Sequence, residues 1–126
     1  MTVPTASTTS LPTADRIRAA VHAALDTKAE DLRVRHLEPV ADFTDYFLIA
    51  SGGSERQVQA IADRIEENLR ARGVRPVHVE GHAAGQWILL DYGDLIVHVF
   101  LDERRRFYGL ERLWADAPDV TPDFTP

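Results

Sequence analysis

Apolar positions recur along this chain with two periods, and the switches between them mark its elements. From Thr13, the residues Ile17, Val21, Ala24 and Leu25 follow helical spacing, so a helix capped by Thr13 and sustained by the Ala-rich stretch to Ala29 is expected. Leu32, Val34 and Leu37 begin in alternation, with Arg33 and Arg35 between the first two, as in a half-buried strand that Pro39 closes. The run Tyr46-Phe47-Leu48-Ile49 within 45–51 predicts a more central strand, ended by Gly52-Gly53. Ser54 and Gln57 then form a capping box, each side chain able to satisfy a free backbone N–H. Val58, Ile61, Ala62, Ile65 and Leu69 make one buried stripe of a long helix, Glu66 and Arg70 an exposed pair, and Gly73 a natural stop with Pro76 just beyond.

Three more strands are predicted at 76–80, 86–91 and 94–101, the last two joined by the turn Asp91-Tyr92-Gly93-Asp94. Asp102 is placed to cap a short helix reaching about Trp114, and Pro118, Pro122 and Pro126 stop it from continuing. The order αββαβββα describes one α/β domain with a mixed five-stranded sheet. The strand, long helix and following strand suggest a right-handed crossover, while the close strand pairs suggest antiparallel neighbours. The pattern assigns 1–12 to a flexible tail rich in Thr, Ser, Ala and Pro, 13–114 to the domain, and 115–126 to a Pro-rich C-terminal tail.

Residues two apart on a strand share a face. On that basis Ile88, Leu90, Leu95, Val97 and Val99 are assigned to the core. His78, Glu80, Trp87, Leu89, Asp91 and His98 are left on a second face that mixes apolar, acidic and imidazole groups, as an interface does. Packing of Trp87 and Leu89 beneath a helix or the N-terminal segment explains the same apolar pattern.

Composition narrows the function. The chain of 126 residues suits a single core, and with no cysteine it holds neither disulfide nor thiolate metal site. No apolar run approaches a membrane span and no secretory signal is visible, so a soluble cytoplasmic protein is expected. A net charge of -6 argues against strong direct nucleic-acid binding. The stretch 76–103 contains no Lys or Arg but carries Glu80, Asp91, Asp94, Asp102 and Glu103, and so would attract a basic protein surface.

Candidate chemistry is thin. Gly52-Gly53-Ser54 follows a strand and opens a helix, where backbone amides can hold phosphate, and resembles the opening of nucleotidyltransferases. Those enzymes also need two or three strand carboxylates for metal, and Glu80 stands alone on its strand. His78, Glu80 and His82 alternate and could face one metal ion, but Gly81 is expected to end the strand before His82, and a polar sheet face explains them equally. His98 reads as a hydrogen-bonded strand histidine and Arg104-Arg105-Arg106 as a solvated helix face. The expectation is a binding protein without catalytic residues, metal or cofactor.

The segments Phe43-Thr44-Asp45-Tyr46-Phe47, Ala50-Ser51-Gly52, Arg56-Gln57-Val58, Val79-Glu80-Gly81 and Trp87-Ile88-Leu89-Leu90-Asp91-Tyr92-Gly93-Asp94 carry a resemblance, extended by Val97-His98-Val99-Phe100, Phe107-Tyr108, Leu110-Glu111 and Leu113-Trp114. In order, from about Thr13 to Pro118, they resemble the ribosomal silencing factor (Iojap-like) family. The resemblance implies a homodimer with a sheet related to the nucleotidyltransferase fold but without its catalytic carboxylates. It also implies docking on the large ribosomal subunit at universal large-subunit protein fourteen, which blocks small-subunit joining and represses translation when nutrients are scarce. Carried onto this chain, the partner-binding residues are Trp87, Leu89, Asp91, Tyr92, Asp94 and His98, with Tyr108 and Glu111 nearby. A nucleotide- or metal-dependent enzyme and a general dimeric adaptor are the alternatives.

Overall fold

The structure, a computed structural model, describes residues 11–126. Its elements are α1 (Thr13–Asp26), β1 (Glu30–His36), β2 (Tyr46–Gly52), α2 (Glu55–Arg70), β3 (His78–Glu80), β4 (Trp87–Asp91), β5 (Leu95–Leu101), α3 (Asp102–Tyr108) and α4 (Leu110–Leu113), followed by a single 3-10 turn, Thr121–Asp123. Of the stretch read as an N-terminal tail, only Leu11 and Pro12 lie among the described residues, and Leu11 packs on the core.

The five strands form one mixed sheet in the order β1-β2-β5-β4-β3. Only β2 and β5 run parallel, and the other neighbours are antiparallel. The chain therefore leaves β2, crosses through α2 to the far edge at β3, and returns by two antiparallel steps to place β5 beside β2. This puts the β4–β5 hairpin in the half of the sheet that α2 spans.

The helical side is the main core. The five stripe residues of α2, Val58, Ile61, Ala62, Ile65 and Leu69, are all buried. They meet Ile17, Ala20, Val21 and Ala24 of α1 and the strand residues Val34, Leu48, Ile88, Leu90, Leu95, Val97 and Val99. The start of α2 is set by the expected box: Gln57 N–H donates to Ser54 Oγ (3.1 Å) and Gly53 N–H to Gln57 Oε1 (2.8 Å). These two bonds fix the glycine turn as the start of α2.

Two expected caps are not caps. Thr13 is the first helical residue of α1, after Pro12, and its hydroxyl reaches Asp94. Asp102 is likewise the first residue of α3, which follows Leu101. The single expected C-terminal helix breaks at Gly109, whose φ of +66° is left-handed and ends α3 before α4 begins.

The Pro-rich stretch 115–126 lies back along the sheet. Val120 N–H donates to Val34 O (2.8 Å), Val34 N–H donates to Thr121 Oγ1 (2.8 Å), the backbones of Arg35 and Asp119 pair in an isolated antiparallel β-bridge, and Phe124 meets Tyr46 edge-on. It covers the outer edge of β1, where open backbone groups would otherwise invite pairing with another chain. Deleting 119–126 is therefore expected to cost about 2–4 kcal/mol in urea unfolding and to promote aggregation visible by light scattering.

Candidate functional site

The opposite face of the sheet carries a smaller cluster: Leu37, Phe47, Ile49, Ile96, Phe100 and Ala117, with Trp87, Leu89, Leu110 and Trp114 packed at its margin. Cover is uneven. Trp114 lies against Phe47 and Phe43 on the β2 side, whereas β3 at the other edge is exposed throughout.

Register fixes who shares this face. Leu89 pairs with both Glu80 and His98, Asp91 with both His78 and Ile96, and Trp87 with Phe100. Directly opposed residues project to the same side, so His78, Glu80, Trp87, Leu89, Asp91 and His98, the face assigned from alternation, lie on one side of the sheet. Trp87, Leu89 and Asp91 are half-buried, and His78 and Glu80 are exposed.

At its centre the Trp87 ring stacks on Phe100 at 5.0 Å and meets Tyr108 of α3 at 4.6 Å. Tyr108 is 41% exposed and its neighbour Phe107 74%. The aromatic layer is therefore anchored below and open above, the arrangement of an interface hot spot. Beside it a pocket of about 180 Å³ is lined by Glu80, Gly81, Trp87 and Leu89.

His98 lies under this layer. It is only 3% exposed, with the Phe47 ring edge-on at 4.5 Å. Trp87 Nε1–H donates to His98 Nδ1 at 3.1 Å. An indole N–H can only donate, so Nδ1 accepts and the neutral ring carries its proton on Nε2. That nitrogen is buried without a hydrogen-bond partner. Burial pushes the His98 pKa down from 6.5 to about 3. His98 therefore cannot touch a partner directly; it orients the residue that can.

A pH prediction follows. The unfolded chain takes up a proton at His98 near pH 6.5 and the folded chain does so only near 3, so stability present above pH 6.5 is lost as pH falls across that window. The slope approaches about 1.4 kcal/mol per pH unit. His98→Phe removes that contribution in urea unfolding across the window. At neutral pH the substitution strands the Trp87 Nε1–H but also removes the unsatisfied Nε2–H, so a net cost of about 1–2 kcal/mol is expected.

Three residues carried over from the resemblance are placed differently. Tyr92 is 5% exposed and packs in the main core on the helical side, its hydroxyl without a partner and its pKa raised chiefly by burial. It follows Asp91 and so points the opposite way. Asp94 holds the start of α1, accepting from Thr13 Oγ1 and from Arg16 Nη1 at 3.1 Å. Glu111 grips Arg105 with both oxygens, at 2.9 and 3.0 Å.

Arg105 is the one member of Arg104-Arg105-Arg106 that is buried. Its Nη1 donates to Ser51 Oγ and to Asp31 O, both at 2.7 Å, tying α3 to β1 and β2. The hydrogen-bonded guanidinium holds Glu111 below the usual carboxylate range, against the opposing effect of burial. Arg105 thus fixes the helix that carries Tyr108 to its contact beside Trp87. Asp91 belongs to the open face but also accepts from Gly93 N–H at 2.8 Å, which fixes the hairpin turn.

The face also holds His78 and Glu80, and beneath it Phe100, none of which is among the residues that the resemblance assigns to the partner. Glu80 is placed on this face by its alternation with His78 and belongs to the acidic stretch 76–103. Phe100 is the platform for Trp87, a role that depends on pairing across the hairpin and has no local signal in the sequence.

Fold and face together define a class: a single mixed α/β domain with a sheet covered by helices on one side and half open on the other. A family model described as "Ribosomal silencing factor during starvation" matches residues 10–126, and the chain belongs to this family. It is 41% identical over 108 residues to the ribosomal silencing factor of Bacillus subtilis, covering 86% of this chain and 92% of that protein. The ribosomal silencing factor of Halalkalibacterium halodurans is 40% identical over 104 residues, 82% of this chain and 89% of the relative. A crystal structure of a Chromobacterium violaceum protein superposes with a TM-score of 0.81 at 33% identity, covering 83% of this chain and 88% of that one. Among the described residues, no helix is long and apolar enough to cross a membrane.

Proposed function

We propose that the half-open sheet face docks this chain onto the large ribosomal subunit at universal large-subunit protein fourteen, and that the bound domain sterically blocks joining of the small subunit. The observation that carries the reading is the Trp87–Leu89–Tyr108 surface, whose strand residues Trp87 and Leu89 lie in the stretch 76–103 that has acidic side chains and no Lys or Arg. An aromatic centre with an acidic rim suits a basic ribosomal protein: the apolar contacts supply affinity and the charges orient encounter. The relatives' name, ribosomal silencing factor, supports the same reading.

On this reading Trp87, Leu89 and Tyr108 make contact, Asp91 shapes and charges the rim, and His98 orients Trp87. Repression belongs to starvation, as the family description has it. The chain acts in the cytoplasm as a homodimer without catalysis, and sedimentation equilibrium tests the dimer. Co-sedimentation with purified subunits tests docking: the chain pellets with large and not with small subunits. Equal recovery with both, or with neither, contradicts the proposal.

A further inference from the structure

We infer that the pocket beside Trp87 is a socket for one lysine or arginine side chain of the partner protein, with Glu80 receiving its charge. This rests on the docking reading above. The socket's walls are unlike one another. Trp87 and Leu89 offer apolar surface for a methylene stem, and an indole is the best aromatic partner for a cation. Glu80 stands on the same face, directly opposite Leu89. The walls therefore match a side chain that is apolar along its length and positive at its tip.

The remaining wall is Gly81, and it has to be glycine. Its φ is +81°, and a Cβ there would lie 2.0 Å from the Trp87 carbonyl oxygen. Glycine thus lets the backbone after β3 approach β4 closely at the pocket's rim, and a side chain there would push β4 away.

Charge completes the argument. The stretch 76–103 has no Lys or Arg to neutralise Glu80 from within. Its neighbour is His78, whose Nε2 lies 2.6 Å from one carboxylate oxygen. Among the described residues the other oxygen has no hydrogen-bond partner, so it is free to accept from an incoming cation. Glu80 is exposed, so closing the socket with a partner would strengthen an attraction that solvent now screens.

Two measurements test the socket on the full chain. In co-sedimentation with large subunits across a salt series, Glu80→Gln is expected to weaken binding about three- to tenfold and to flatten its salt dependence. In NMR titration of the free chain, N-acetyl-arginine amide or N-acetyl-lysine amide is expected to give saturable shifts at the Gly81 amide and Trp87 indole that the neutral N-acetyl-norleucine amide does not give and that Glu80→Gln loses. If Glu80→Gln binds subunits with unchanged affinity and salt dependence while Trp87→Ala fails to bind, the socket is refuted and the docking reading stands. If Trp87→Ala and Glu80→Gln both bind as the parent does, the docking face and the socket fall together. If the parent chain does not bind large subunits, the docking reading fails, and the titration decides the socket: cation-specific shifts retain it, and their absence removes it.

Discussion

Trp87→Ala lowers affinity for large ribosomal subunits by roughly 30- to 1,000-fold, corresponding to about 2–4 kcal/mol at an aromatic hot spot. The expectation comes from how the ring is held. Phe100 supports it from below, Tyr108 flanks it, and His98 fixes its N–H. A ring immobilised before binding loses little entropy when it binds, so most of its contact energy is retained as affinity. The substitution also removes part of the margin of the smaller core and costs about 1–3 kcal/mol of stability. Circular dichroism and urea unfolding separate that loss from the loss of binding. Trp87→Phe keeps an aromatic ring on Phe100 but gives up area and the donor to His98, and falls between the two in affinity.

The second large effect is on the fold and belongs to Arg105. Arg105→Met removes three partners at once: the Glu111 carboxylate, the buried Ser51 hydroxyl and the Asp31 carbonyl. Breaking a buried pair leaves its other member uncompensated, at about 3–5 kcal/mol where both are enclosed. Glu111 keeps a third of its side chain in solvent, so about 2–4 kcal/mol is expected in urea unfolding. Arg105→Met/Glu111→Leu recovers part of this, because no charge is then stranded.

The pH dependence distinguishes this latch from simple packing. Glu111 has a folded pKa below its ordinary value of 4.5. Its contribution is therefore present above pH 4.5 and lost as pH falls through the lower folded value. Arg105→Met abolishes that loss in acid titration of stability. The same substitution frees α3, so Tyr108 leaves Trp87 and the binding surface loosens along with the fold.

Where the signal was local, the elements could be read directly from the chain. Ser54 and Gln57 defined the start of α2, and its five stripe residues are the five that are buried. Alternation along β4 and β5 separated the two faces of the sheet correctly. Long-range pairing was another matter. Nothing near β2 announces that its parallel partner is β5, since α2 and two strands intervene. The proline pattern stopped the last helix but could not say that 119–121 would pair with β1.

The placement of the candidate residues on the sheet was legible from alternation alone, and less so from neighbourhood in the segment. Trp87, Leu89 and Asp91 share the open face because they are two apart. Tyr92 and Asp94 are assigned by the resemblance; the first turns into the main core and the second anchors α1. His98 was placed on the right face but lies beneath it, because Phe47 and Trp87 converge on it from distant parts of the chain. Arg105 resembled its solvated neighbours in sequence, and only its approach to Ser51 and Glu111 sets it apart.

The most direct measurement is subunit joining. Purified large and small subunits are mixed at associating magnesium and resolved on a sucrose gradient, with increasing amounts of the parent chain or of Trp87→Ala. The account predicts that the parent shifts joined ribosomes to free subunits in proportion to its occupancy of the large subunit, while Trp87→Ala leaves joining intact at the same concentrations. Undiminished joining with the parent chain bound at saturation would contradict it.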